Sequence, residues 1–153
     1  MKVTKSPLIL HDFYVLDSKY RFNESKETKI NIAEVFSQYD IDLDFAARAQ
    51  KNDQVYLFTK IEINNSELEL PGYSIFVEAI SIFGFDQDTN LSDKEKANFI
   101  NVSGLSIAIN NLRTYISNIT AYCPFGKFQV PALDVGALHK KKQKEIKSKK
   151  KGK

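Results

Sequence analysis

The side chains able to do chemistry in this chain are few and scattered. His11 and His139 stand at opposite ends, and neither has a cysteine or carboxylate at ligand spacing, so no zinc site is expected. Asp40, Asp42 and Asp44 project the same way if their segment is a strand, and a hard cation accepts such oxygens. The same alternation equally describes a solvated face. Cys123 falls at the end of a helical pattern, where the partial negative charge disfavours a thiolate, and no histidine is near in sequence. The glycines are dispersed and build no phosphate-cradling loop. Sequons such as those at Asn64, Asn101 and Asn118 matter only in a secreted chain. Catalytic residues, metal and cofactor are all expected to be none. The sequence reads as a non-enzyme.

Charge is the more informative feature. Nine lysines and one glutamate lie between His139 and Lys153, a local balance of +8. Residues 1–138 carry 13 basic and 18 acidic side chains, so the body is acidic and the net charge of +3 comes from the tail. Such a tail attracts phosphate by counterion release, which admits RNA, the ribosome or an anionic membrane surface as partner. It has no aromatic for base stacking, and a solvated, disordered tail is the plainer reading.

The remaining composition sets the scaffold. At 153 residues the chain is expected to form one domain, residues 1–138, followed by a lysine-rich tail, 139–153, that is frayed or disordered. Eleven Phe and seven Tyr without a Trp suit β structure and broad apolar contacts. A lone cysteine excludes a disulfide framework and fits a reducing cytosol. No apolar run reaches the roughly 18 residues of a membrane span. The opening stretch is interrupted by His11 and Asp12, unlike a signal peptide. A cytoplasmic location is expected.

Four strands are predicted. The first covers about Leu8 to Glu24, with Phe13, Val15, Tyr20 and Phe22 inward and an interruption around Asp17 to Lys19 that suggests a bulge or a break. A possible helical turn covers Asn31 to Phe36. Tyr39, Ile41, Leu43, Phe45 and Ala47 then alternate with Asp40, Asp42, Asp44, Ala46 and Arg48, the period of a half-buried strand. The third runs Gln54 to Asn64. The fourth, Tyr73 to Phe85, is apolar on both faces and should be central. Short turns between the later strands predict an antiparallel meander. A helix capped by Ser92 follows, with Glu95 at capping-box spacing. Gly104 marks a break or tight packing point before a long helix ending near Tyr122. Leu105, Ala108, Ile109, Leu112, Tyr115, Ile116, Ile119 and Tyr122 form its apolar stripe. Residues 128–133 read as extended, and a last helix starts at Asp134 with like charges that should fray it. The class is α+β: a four-stranded antiparallel meander, a short helix, a long helix and a C-terminal helix.

Three stretches together resemble SecB, the bacterial protein-export chaperone family. They are the apolar strand YSIFVEAISIFGF, the long helix GLSIAINNLRTYISNITAY with its Arg113 and Tyr115 pair, and the run FGKFQVPALDVGALHKK. The resemblance implies an ATP-independent holdase that binds non-native precursor proteins in apolar grooves for protein export and transport. It implies a homotetramer built as a dimer of dimers, and delivery to the SecA motor. By position, the client groove would be lined by Phe76, Phe83, Tyr115, Tyr122, Phe125, Phe128, Val130, Leu133 and Leu138. Asp40, Asp42, Asp44, Glu62 and Glu78 would supply an acidic face for docking on the translocase. The basic tail departs from the family's acidic or polar one, so tail-mediated contact with SecA is not carried over. Some SecB-like proteins instead shield one antitoxin of a toxin–antitoxin system, and nothing in the residues separates the two roles. The alternative from another class is an RNA- or ribosome-binding protein acting through the tail.

Overall fold

A computed structural model of the chain describes residues 1–26, 29–68 and 70–151, the side chains of 149–151 excepted. Gly152 and Lys153, the end of the expected tail, lie outside the described residues.

The alternating segments become four antiparallel strands: β1 (Leu8–Asn23), β2 (Ile41–Ala49), β3 (Val55–Ile63) and β4 (Gly72–Phe85). The sheet order is β1-β4-β3-β2. The expected meander therefore runs through β2, β3 and β4, while β1 joins at β4, on the far side from β2. The connection carrying helix α1 (Ile32–Ser37) takes the chain from one edge strand to the other. This arrangement gives β4, apolar on both faces, a neighbour along each edge.

The bulge or break expected around Asp17 to Lys19 is a bulge at Leu16, with a second at His11, and the strand is unbroken. Each bulge resets the alternation. That is how Leu10, Phe13, Val15, Tyr20 and Phe22 all pair with residues on the inner side of β4.

Helix α2 (Asp93–Phe99) begins with the expected capping box. Ser92 Oγ accepts from Glu95 N–H at 3.4 Å, and Glu95 Oε2 accepts from Ser92 N–H at 2.9 Å. The break expected at Gly104 does not occur. Helical geometry continues through a π-helical turn (Ile100–Gly104) into α3 (Leu105–Thr120). A Cβ on Gly104 would meet the Phe83 ring at an ordinary 3.5 Å.

Helix α3 lays its apolar stripe on one face of the sheet. Leu112 and Ile116 pack with Tyr73, Ile75, Val77, Ile61 and Ile63, while Leu105, Ala108 and Ile109 pack with Phe83, Leu57 and Phe45. The two clusters divide the same face lengthwise. The turn between β3 and β4 is organised by Asn64, fully buried at φ 52, a left-handed conformation asparagine tolerates. Its side chain donates to Leu70 O and Tyr73 O and accepts from Leu70 N–H. With every amide position engaged, Asn64 is no glycan acceptor in the folded chain.

Two hydroxyls are out of place in this core. Thr59 Oγ1 and Ser81 Oγ are buried on the inner face and have no hydrogen-bond partner among the described residues. A buried hydroxyl without a partner costs on the order of 1 kcal/mol or more. Ser81→Ala and Thr59→Val are each expected to raise the urea midpoint, by about 1 kcal/mol of stability. A fall in the midpoint would show that the hydroxyls are satisfied.

Candidate functional site

The segment after α3 leaves the helix, runs extended, and is clamped to the body by three polar side chains. Tyr73 Oη accepts from Phe125 N–H at 2.8 Å and donates to Gly126 O at 2.7 Å. Thr120 Oγ1 accepts from Phe128 N–H at 2.9 Å, and Arg113 Nε donates to Val130 O at 2.9 Å. Burial pushes the Tyr73 phenol up to about 12, against the Phe125 N–H that favours its ionised form. It therefore remains a neutral donor at physiological pH.

These clamps set aromatic rings against the start of β2. Phe36 of α1 meets Phe128 edge-on at 5.0 Å between centroids and lies 5.5 Å from Tyr73. Phe125 meets Phe22 edge-on at 5.2 Å, and Tyr39 lies 5.4 Å from Phe128. Tyr39 Oη donates to Pro71 O and accepts from Tyr73 N–H, which requires glycine at position 72: a Cβ there would fall on the Tyr39 hydroxyl. Phe22, Phe36 and Phe125 are half-buried and form the open rim of this cluster.

From the rim, an apolar trough follows β2. Ile41 and Leu43 form one wall, and Leu133, Ala137 and Leu138 the other, around about 220 Å³. Beyond it a second apolar depression of about 410 Å³ lies among Ala47, Ala49, Val55, Phe85, Ala97 and Ile100. Among the described residues β2 pairs only with β3, so its outer edge carries backbone groups unused by the sheet.

Helix α4 (Val135–Lys151) crosses this edge between the two depressions. The boundary expected at 138/139 thus falls inside a helix. Val135 and Leu138 pack on the inner core, and Lys142 ion-pairs with Asp44 while its ammonium lies 6.0 Å from the Phe45 ring centroid. Partial burial pushes the Asp44 carboxyl up. The Lys142 ammonium, the Phe45 N–H and the charge of Lys60 outweigh it and hold the group below its ordinary value.

A depressed carboxyl makes its contribution above the unfolded pKa and loses it as pH falls through the folded one. The seat of α4 should therefore be intact at neutral pH and loosen as pH drops below about 4. Asp44→Asn should loosen it at pH 7. Faster trypsin cleavage after Lys140 to Lys144 in that variant is the expected readout, and unchanged cleavage would show that Asp44 does not hold the helix.

The residues singled out in the sequence do not all meet. Leu133 and Leu138 line the trough, Phe125 stands on the rim, and Phe128 and Val130 are buried in the inner core. Phe83 is fully buried under the start of α3. Phe76 is seven positions away on the same strand, which puts it on the opposite face, with Lys19 over its ring. Tyr115 packs beside the inner core, and Tyr122 is fully exposed in the turn after α3.

Among the acidic residues, Asp42, Asp44, Glu62 and Glu78 share the uncovered sheet face, but around Lys60, which pairs with Glu62 at 2.7 Å. Asp40 precedes the strand, within 3.5 Å of Ser66 Oγ. The sequence reading did not assign Phe36, Ile41 or Leu43 to the site. Their signal was present in the Val35–Phe36 pair of α1 and in the alternation of β2, but nothing local says which apolar residues stay half open.

No family model matches the chain, and no curated protein matches it. Among solved structures, a SecB-like chaperone of Mycobacterium tuberculosis, in complex with a ChAD peptide from the HigA1 antitoxin, matches with a TM-score of 0.60. Identity is 11%, and the match covers 83% of this chain and 91% of that one. The fold is SecB-like. A protein of unknown function from Streptococcus agalactiae overlaps more loosely, at a TM-score of 0.36 and 9% identity over 82% of this chain and 97% of that one, and bears no weight. Within the SecB-like fold, the trough lies between the free edge of β2 and the clamped segment with α4. Among the described residues no three His, Cys, Asp or Glu side chains gather to hold a metal, and no helix is long and apolar enough to cross a membrane.

Proposed function

We propose that the chain is an ATP-independent holdase that takes extended, non-native segments along β2, and that its client is a dedicated antitoxin. The observation that carries this reading is the half-open apolar trough beside an unpaired strand edge. An extended guest finds two kinds of recognition there. Backbone groups of the edge add it as a strand, and the apolar walls take alternate side chains. Helix α4 crosses the nine-residue strand at Asp44 and Phe45, so the edge open to a guest lies on either side of that crossing.

A dedicated antitoxin is favoured over general export for two reasons. The chaperone of matching fold holds an antitoxin peptide, and the features that would support translocase docking are weak. The acidic face is partly neutralised by Lys60, its Asp44 is taken up by α4, and the tail is basic.

A homo-oligomer belongs to the same proposal. Strand β1 is an edge of sixteen residues whose Ile9, Leu10, Tyr14, Leu16 and Tyr20 are exposed. A long apolar edge of this kind seeks a partner, and a second copy of β1 is self-complementary. Several troughs on one assembly would then raise avidity for a long client.

The test combines solution mass with capture of a reduced, permanently unfolded protein and of antitoxins from the same organism. Binding of one antitoxin at least tenfold tighter than the generic client supports the reading. Equal binding points back to general export. A monomer that takes neither overturns the proposal.

A further inference from the structure

Helix α4 has two faces, and the body uses only one. Val135, Leu138 and Lys142 turn inward, and Glu145, the tail's single acid, lines the same side with Lys60 and Glu62. At about 3.6 residues per turn, Lys140, Lys144 and Lys147 fall together on the opposite side. All three are exposed, and among the described residues none is ion-paired. The inner seat fixes the direction of the outer stripe, so the tail presents an oriented row of charges.

We propose that this stripe is a docking face for the phosphate backbone of nucleic acid. Its steps of four and three residues make the three lysines leave the helix about 6 and 4.5 Å apart along its axis, and the tail's one acid, Glu145, lies on the other side. The body behind it is acidic, which decides the shape of the partner. A strand of phosphates can follow one helix face without approaching the body, whereas an anionic membrane is a plane that brings the body's carboxylates against like charge.

A membrane-seated helix also needs its apolar face free. Here that face is occupied by the core, and only Ile146 among the large apolar residues of α4 is exposed. No aromatic stands in the tail, so the contact reads backbone and not bases. The stripe faces away from the trough, and the inference does not depend on the holdase reading.

The test is fluorescence anisotropy of the full chain with a labelled twenty-nucleotide oligouridine, across a salt series. Each phosphate contact on a single strand contributes about 0.7 to the slope of log K against log salt. The variant K140Q/K144Q/K147Q should bind at least tenfold more weakly and lose about 2 from that slope. Glutamine keeps helix propensity, and circular dichroism checks that α4 persists.

A control, K29Q/K51Q/K94Q, removes the same charge from exposed positions off the helix and should change affinity less than threefold. Vesicles of phosphatidylserine and phosphatidylcholine should not bind. Absence of oligouridine binding at 50 mM salt (roughly the low-salt regime of such titrations) would overturn the proposal. So would equal weakening by both triple variants, or vesicle binding that the stripe variant abolishes while RNA binding survives.

Discussion

Ile41→Ser together with Leu133→Ser is expected to weaken capture of an unfolded client at least tenfold. The two side chains face each other across the trough, each half-buried in the chain alone. A guest covers what is left of both. Half an aliphatic side chain is worth about 1 kcal/mol on burial, so the pair contributes about 2 kcal/mol, or roughly thirtyfold in affinity. The same change also loosens the fold by a comparable amount, so it needs a partner variant. Ile80→Ser with Ile82→Ser removes apolar surface from the other face of the sheet, on β4, away from β2 and from the β1 edge. That variant should lose stability and keep capture. If both pairs lower capture equally, the trough is not the binding surface.

Phe128→Ala should cost about 3–5 kcal/mol of stability. Its ring is only 2% exposed and contacts Phe36 and Tyr39 on either side. The backbone N–H of the same residue is clamped by Thr120, so the segment cannot easily collapse into the cavity. Against a typical total of 5–15 kcal/mol, this is a large fraction. Urea denaturation at fixed protein concentration checks it, since an oligomer's stability varies with concentration. A loss under about 1 kcal/mol would show that the segment closes over the missing ring in spite of its clamp.

These two variants separate roles that sequence alone assigns to one group. Phe128, Val130, Leu133 and Leu138 are equivalent as apolar residues in an extended run and the helix after it. The clamps from Tyr73, Thr120 and Arg113 rotate Phe128 and Val130 into the core, and leave Leu133 and Leu138 as a wall. Phe76 and Phe83 show the same limit more sharply. Both are phenylalanines of one apolar strand, yet an odd spacing sends them to opposite faces, one beneath α3 and one beneath Lys19.

Periodicity and punctuation were enough to determine the elements of this protein. Two-residue alternation marked β2 and β3, the three-and-four spacing from Leu105 marked α3, and Ser92 with Glu95 marked the start of α2. These are signals between near neighbours, carried by local geometry. Strand order, the path of α1 from edge to edge, and the seat of α4 on Asp44 were decided only in three dimensions. The contacts behind them, such as Phe36 with Phe128 or Asp44 with Lys142, join residues some ninety positions apart. A hydrophobic side chain has the same preference for burial wherever it stands in the chain. Which ones end half open depends on what arrives to cover them, and that is a property of the assembled fold.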